Sequence, residues 1–207
     1  MIGITNNGDP TMDLSWMTKT DECDMVVLTT KNPGAFINTE LEPAIFKIKD
    51  KLILECCVTG YGKSIIEPNV PSTLISIMMI AELVNKGYNI VININPIILT
   101  TRGLDKVKSL IEGLRLYHLL DKVSFKYGFL VEYPHFTKRL ISISEDAITE
   151  DAVHNYFKSI NVQMNTLIYD NTVELLEKAE QCYFRCSYCY HEIDYDMTQD
   201  MEQIGLI

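Results

Sequence analysis

Cys182, Cys186 and Cys189 fall within Cys182-Tyr-Phe-Arg-Cys186-Ser-Tyr-Cys189, and this trio of thiols is the part of the chain best equipped for chemistry. The spacing C-x3-C-x2-C lets one tight loop present three thiolates to a cubane iron-sulfur cluster, which ordinarily takes four cysteine ligands, so one iron is left open. A small molecule carrying an amino and a carboxylate group can chelate such an iron. His191 supports a second reading, because three thiolates and one imidazole form a common closed zinc set. Zinc ligands usually arrive as two separated pairs, which a single run ending in Cys-x-His does not supply.

Other candidate residues sit where apolar runs stop at small polar clusters. These are Asn7-Gly8-Asp9-Pro10, Thr30-Lys31-Asn32-Pro33, Val58-Thr59-Gly60-Tyr61-Gly62 and Asn93-Ile94-Asn95-Pro96. In parallel α/β sheets and barrels the ligand lies at the carboxyl ends of the strands, so four such clusters point to one mouth. Polar, turn-forming βα loops are the bland alternative for any one of them. The stretch Gly60-Tyr-Gly62-Lys63-Ser64 invites a phosphate-loop reading, but the required first glycine is Cys57 and the chain leads to Pro68 rather than into a helix. A nucleotide triphosphatase is therefore rejected. Of the adjacent pair Cys56 and Cys57, one is expected in the core and the other on the opposite face of a strand.

The elements that must carry these residues read as strand and helix units. Apolar, β-branched runs begin near Ile2, Met25, Leu52, Asn89 and Lys122, at intervals suited to a parallel sheet with crossover helices. The first clear helix starts at Pro71-Ser72, carries Leu74, Ile77, Met78 and Ala81 as its apolar stripe and stops at Gly87. A second is expected from Leu104 to Leu120, with Val107, Leu110, Ile111, Leu114 and Tyr117 on one face and His118 as a partner of the C-terminal dipole. A third starts at Thr149, where Glu150 and Asp151 favour the N-terminal end of the dipole. His135 and His154 have no partner that the sequence identifies.

Composition sets outer bounds. The 207 residues, 47% of them hydrophobic, suit one sizeable core and a single domain, residues 1–207. Within it, 1–170 would supply barrel strands and helices and 171–207 the cluster-binding segment and tail. No apolar run spans a bilayer and the N-terminus lacks the pattern of a secretory signal, so a cytoplasmic protein with reduced thiols is expected. The formal charge of −10 would repel a polyanion, which disfavours non-specific nucleic-acid binding.

Taken together, Gly8-Asp9-Pro10, Val26-Val27-Leu28-Thr29-Thr30-Lys31-Asn32-Pro33, Val58-Thr59-Gly60-Tyr61-Gly62-Lys63, Glu67-Pro68-Asn69-Val70-Pro71 and the cysteine loop resemble the radical S-adenosylmethionine superfamily. The group that includes spore photoproduct lyase is the one they look like. The resemblance implies an incomplete parallel (β/α)6-type barrel, circularly permuted so that the cysteine loop closes the chain. Chain ends that lie close together make such a permutation tolerable. Residues 172–181 would supply the displaced first strand, although Val173-Glu-Leu-Leu-Glu-Lys-Ala fits a helix at least as well.

By resemblance, Cys182, Cys186 and Cys189 bind three irons of a 4Fe-4S cluster, and Gly8, Asp9 and Pro10 meet the amino group of S-adenosylmethionine. Lys31 reaches the cofactor carboxylate, Cys56 lies near the ribose and Tyr188 packs by the adenine. The implied chemistry is reductive cleavage of S-adenosylmethionine to a 5'-deoxyadenosyl radical that abstracts hydrogen from a substrate, a nucleobase or nucleotide being the first guess. A flavodoxin- or ferredoxin-type electron donor is implied as partner. Asn93 and Asn95 depart from the arginine and aspartate usual in that group. The alternative is a non-catalytic zinc-binding or interaction protein on a degenerate barrel.

Overall fold

The computed structural model describes residues 2–4, 9–11, 14–64, 66–129 and 147–160. Five strands form one parallel sheet: β1 Ile2–Ile4, β2 Met25–Thr30, β3 Leu52–Cys57, β4 Asn89–Ile97 and β5 Ser124–Phe129. Their order across the sheet is their order in the chain, so each strand lies beside the one before it and the winding never reverses. Four of the five strands begin at the residue expected from the apolar runs, and the fifth begins at Ser124 rather than Lys122.

Among the described residues four α-helices connect or follow these strands: α1 Glu42–Lys47, α2 Thr73–Asn85, α3 Thr101–Leu116 and α4 Glu150–Ser159. The side chain of Ser72 caps α2 by accepting from the Ile75 amide at 3.5 Å. The same helix ends in a Schellman turn, in which Gly87 at φ +78° and Tyr88 donate to Val84 and Leu83. Thr100 caps α3 by accepting from the Gly103 amide at 3.0 Å. At its far end His118 takes the left-handed position, φ +53°, that glycine holds in α2. That helix therefore stops at Leu116, short of Leu120, and Tyr117 is exposed instead of sharing the apolar face. The last helix, α4, starts after Thr149 as expected.

Because parallel neighbours in register share a face, the sheet has two distinct sides. On one, Val26, Leu28, Leu52, Leu54, Cys56, Ile90, Ile92, Ile94 and Phe125 form a continuous core with Ile77, Ile80 and Leu83 of α2, Val107, Leu110, Ile111 and Leu114 of α3, and Val153 and Phe157 of α4. The expected stripe of α2 is corrected here. Leu74 and Met78 are exposed, and the buried side is Ser76, Ile77, Ile80 and Leu83. This helix is apolar nearly all round, so periodicity alone does not choose which side turns inward. Among the described residues no helix is long and apolar enough to cross a membrane.

The polar face of the sheet as a candidate functional site

On the side of the sheet away from the helical core, register aligns Thr29, Glu55, Val91 and Ser124 in one row and Cys57, Asn93 and Lys126 in the next. Two of these side chains carry opposite charge, Glu55 buried and Lys126 largely so, and they pair: Lys126 Nζ lies 2.7 Å from Glu55 Oε1. The Asn93 amide joins them, its Nδ2 donating to the same Glu55 oxygen at 2.6 Å and to Cys57 Sγ at 3.6 Å. A buried carboxylate needs such partners, because desolvation is repaid only by a nearby cation and hydrogen bonds.

This cluster changes the chemistry of Cys57. Burial pushes its thiol up to about 12, the charge of Glu55 adds to the effect, and Lys126, Lys31 and the Asn93 amide oppose it. Thiolate is the nucleophilic form, so burial holds Cys57 as a neutral, weakly reactive thiol at physiological pH. Cys56, one residue earlier, is fully buried in the helix-covered core, and burial raises its thiol as well. Strand alternation turns Cys56, the residue expected near the ribose, toward the helical core and brings Cys57 onto the polar face.

At the carboxyl ends of the strands the expected residues do converge, but mainly on one another. Asp9 Oδ1 accepts from the amide and hydroxyl of Thr11 at 3.1 and 2.7 Å, and Oδ2 accepts from Thr30 Oγ1 at 2.7 Å and the Lys31 amide at 3.0 Å. Asp9 is thus a tie between the loop after β1 and the end of β2, with its acceptor capacity committed. Pro10 is buried, and its carbonyl accepts from Trp16 Nε1 at 2.9 Å. Lys31 Nζ pairs with Glu67 Oε1, while Glu67 Oε2 accepts from Thr59 Oγ1. The loop after β3 is thereby strapped to the end of β2.

Two glycines shape that loop for different reasons. Gly60 has φ +84°, which an L side chain rarely adopts. For Gly62 the cause is crowding, since a Cβ there would lie 1.8 Å from the Pro71 carbonyl oxygen. The chain then continues to Ser72 before α2 begins, in keeping with the rejected phosphate loop. The Asn93-Ile94-Asn95-Pro96 cluster is not a loop. It lies within β4, which shifts register between Ile94 and Ile97 and pairs on to Phe129.

Gly8, Cys182, Cys186, Cys189, Tyr188 and His135 lie outside the described residues. Inside them, sequence reading missed Glu55 and Lys126, and it named Thr59 and Glu67 only as parts of longer runs, without a role. A signal existed for the first: Glu55 is the one charged residue in the otherwise apolar run Leu52-Ile-Leu-Glu55-Cys-Cys. Lys126, between Phe125 and Tyr127, is its counterpart. His154 also gains a partner, because its Nδ1 lies 2.6 Å from the Tyr127 hydroxyl and fastens α4 to β5. Compared with known proteins, the chain matches no family model and no curated protein.

Proposed function

We propose that this chain is a radical S-adenosylmethionine enzyme built on a partial, circularly permuted (β/α) barrel. The observation that carries the reading is the uninterrupted order of five parallel strands with their helical core on one side. A sheet wound in one direction curls, and the side away from its described helices becomes an interior reached from the carboxyl ends of the strands. The polar residues Glu55, Cys57, Asn93 and Lys126 suit such an interior better than they suit a second apolar core.

The three thiols of Cys182, Cys186 and Cys189 are a donor set that fits a 4Fe-4S cluster with one open iron. When bound, the cluster supplies a low-potential electron to the sulfonium of S-adenosylmethionine, and a flavodoxin- or ferredoxin-type protein replenishes it. The chain's own tasks are to bind and orient the nucleotide and to keep water out. Lys31 fits the role of carboxylate ligand by exchanging Glu67 for the incoming group. Asp9 does not fit as an amino-group ligand, given its four internal hydrogen bonds, and Cys56 does not fit a ribose site. The resemblance makes a nucleobase or nucleotide the first substrate to try, while the acidic charge favours a small molecule or a peptide over a long polyanion.

Anaerobic reconstitution tests this reading. It should yield about four irons per chain with a brown chromophore, and dithionite with S-adenosylmethionine should then give 5'-deoxyadenosine. Cys186→Ala should lose both properties. One zinc per chain and no colour would favour the second reading, a non-catalytic zinc-binding or interaction protein on a decayed barrel. The internal commitments of Asp9 and Lys31 are what favour that alternative.

A further inference from the structure

Asn93 is only 5% exposed, and its side chain is half satisfied. Its Nδ2 donates to Glu55 Oε1 and Cys57 Sγ, which fixes the orientation of the amide, because a carboxylate can only accept from it. Its Oδ1 has no hydrogen-bond partner among the described residues, and it is the one buried side-chain oxygen or nitrogen among them in that condition. Buried acceptors are almost always paired, so an orphan on a polar face calls for a donor from outside the described residues. Glu55 and Cys57 account for the Nδ2 half of the amide and leave its Oδ1 unexplained.

The charges around Asn93 restrict what that donor can be. Glu55 and Lys126 neutralise each other at 2.7 Å, and the Cys57 thiol is held protonated by its burial. Among the described residues the site therefore carries no net charge. A cation or an anion brought to Asn93 would be desolvated with no counter-charge among them left to receive it. Lys31, a further cation at the strand ends whose charge acts on Cys57, is already paired with Glu67.

We infer that the polar face of the sheet binds an uncharged small molecule, an amide or an alcohol, whose N–H or O–H donates to Asn93 Oδ1 beside Glu55, Lys126 and Cys57. The inference rests on the described strands and holds whether or not the cysteine motif carries a cluster.

Four fragment probes added separately to the 15N-labelled full chain test it: acetamide, ethylene glycol, acetate and methylammonium. One of the two neutral probes should shift the Asn93 side-chain and Cys57 backbone amide resonances saturably, and its identity tells amide from alcohol. Each charged probe should bind at least about tenfold more weakly. Asn93→Asp should turn the preference toward methylammonium, and Asn93→Leu should abolish the neutral response. Absence of saturable shifts with both neutral probes would overturn the site, leaving water as the partner of Oδ1. Charged probes that bind as well as neutral ones would overturn the argument from charge. The comparison of the four probes on the unaltered chain decides the matter even if a variant fails to fold.

Discussion

The two faces of the sheet are made from the same strands, residue by residue in alternation, yet they differ in kind. The helix-covered face is assembled from Val26, Leu28, Leu54, Cys56, Ile92 and Phe125, all buried and all apolar. The opposite face offers Thr29, Glu55, Cys57, Asn93 and Lys126, and its buried groups are held by charge and hydrogen bonds. Apolar packing is tolerant of partner identity, whereas an ion pair taken out of water is not. Losing a methylene from the first face weakens it in proportion, while losing one member of the second strands the other.

The largest effect that separates the faces should come from Lys126→Met. It leaves the Glu55 carboxylate buried with the Asn93 amide as its remaining described side-chain partner at that oxygen, at a cost of about 3–5 kcal/mol. Adding Glu55→Leu should recover most of that loss, since an apolar replacement of a buried pair is often close to neutral. On the other face Leu54→Ala should cost about 2–5 kcal/mol, with no second-site change that restores it. Urea unfolding of the three variants beside the unaltered chain makes the comparison. A double variant no better than Lys126→Met would mean that the polar face is held by something other than its charge pair.

A smaller effect distinguishes the two neighbouring thiols. Alkylation of the native chain, read by peptide mass, should modify Cys57 slowly at neutral pH. The rate should climb with pH toward about 12, following the thiolate fraction. Cys56, beneath the helices, should react only when the chain opens, and its labelling should track global stability. Equal rates at the two sites would place both sulfurs in one environment and erase the distinction between the faces.

Much of this architecture could be read from the amino-acid order. Met25, Leu52 and Asn89 open strands where β-branched runs open, and Ser72 and Thr149 sit at the helix starts that their residue types favour. These are local signals, and local chemistry decides them. The α2 stripe was not readable, because a helix apolar on every side takes its orientation from tertiary packing that no short window contains. Which cysteine faced the polar side followed from alternation only once the register was known, and register is a property of two strands. The internal use of Asp9 and Lys31 was hidden for a like reason: Thr30 lies 21 residues from Asp9, and Glu67 lies 36 from Lys31. A carboxylate that ties a loop and one that holds a ligand have the same letter in a sequence.

The smallest expected effect concerns an ion pair that belongs to neither face. Glu42, at the start of α1, accepts from Lys86 Nζ beyond the end of α2 and from the Asn38 amide at 2.6 Å. Both bonds favour the ionised form, the Lys86 contact first, and they hold the carboxyl below its usual range against a minor opposing effect of burial. A carboxyl depressed in the folded state stabilises the fold above its unfolded pKa, and the contribution fades as pH falls through the lower, folded value. Glu42→Gln should therefore lower stability slightly in the neutral region and leave it unchanged in acid below the folded value, which flattens the acid limb of the stability curve. Added salt should mimic the substitution, because both partners are partly exposed and screened. Lys126→Met should respond little to salt, its pair being shielded from solvent. If salt weakened the Glu55–Lys126 contribution as much as that of Glu42–Lys86, the polar face would be open to bulk water, and the reason for excluding charged ligands from Asn93 would go with it.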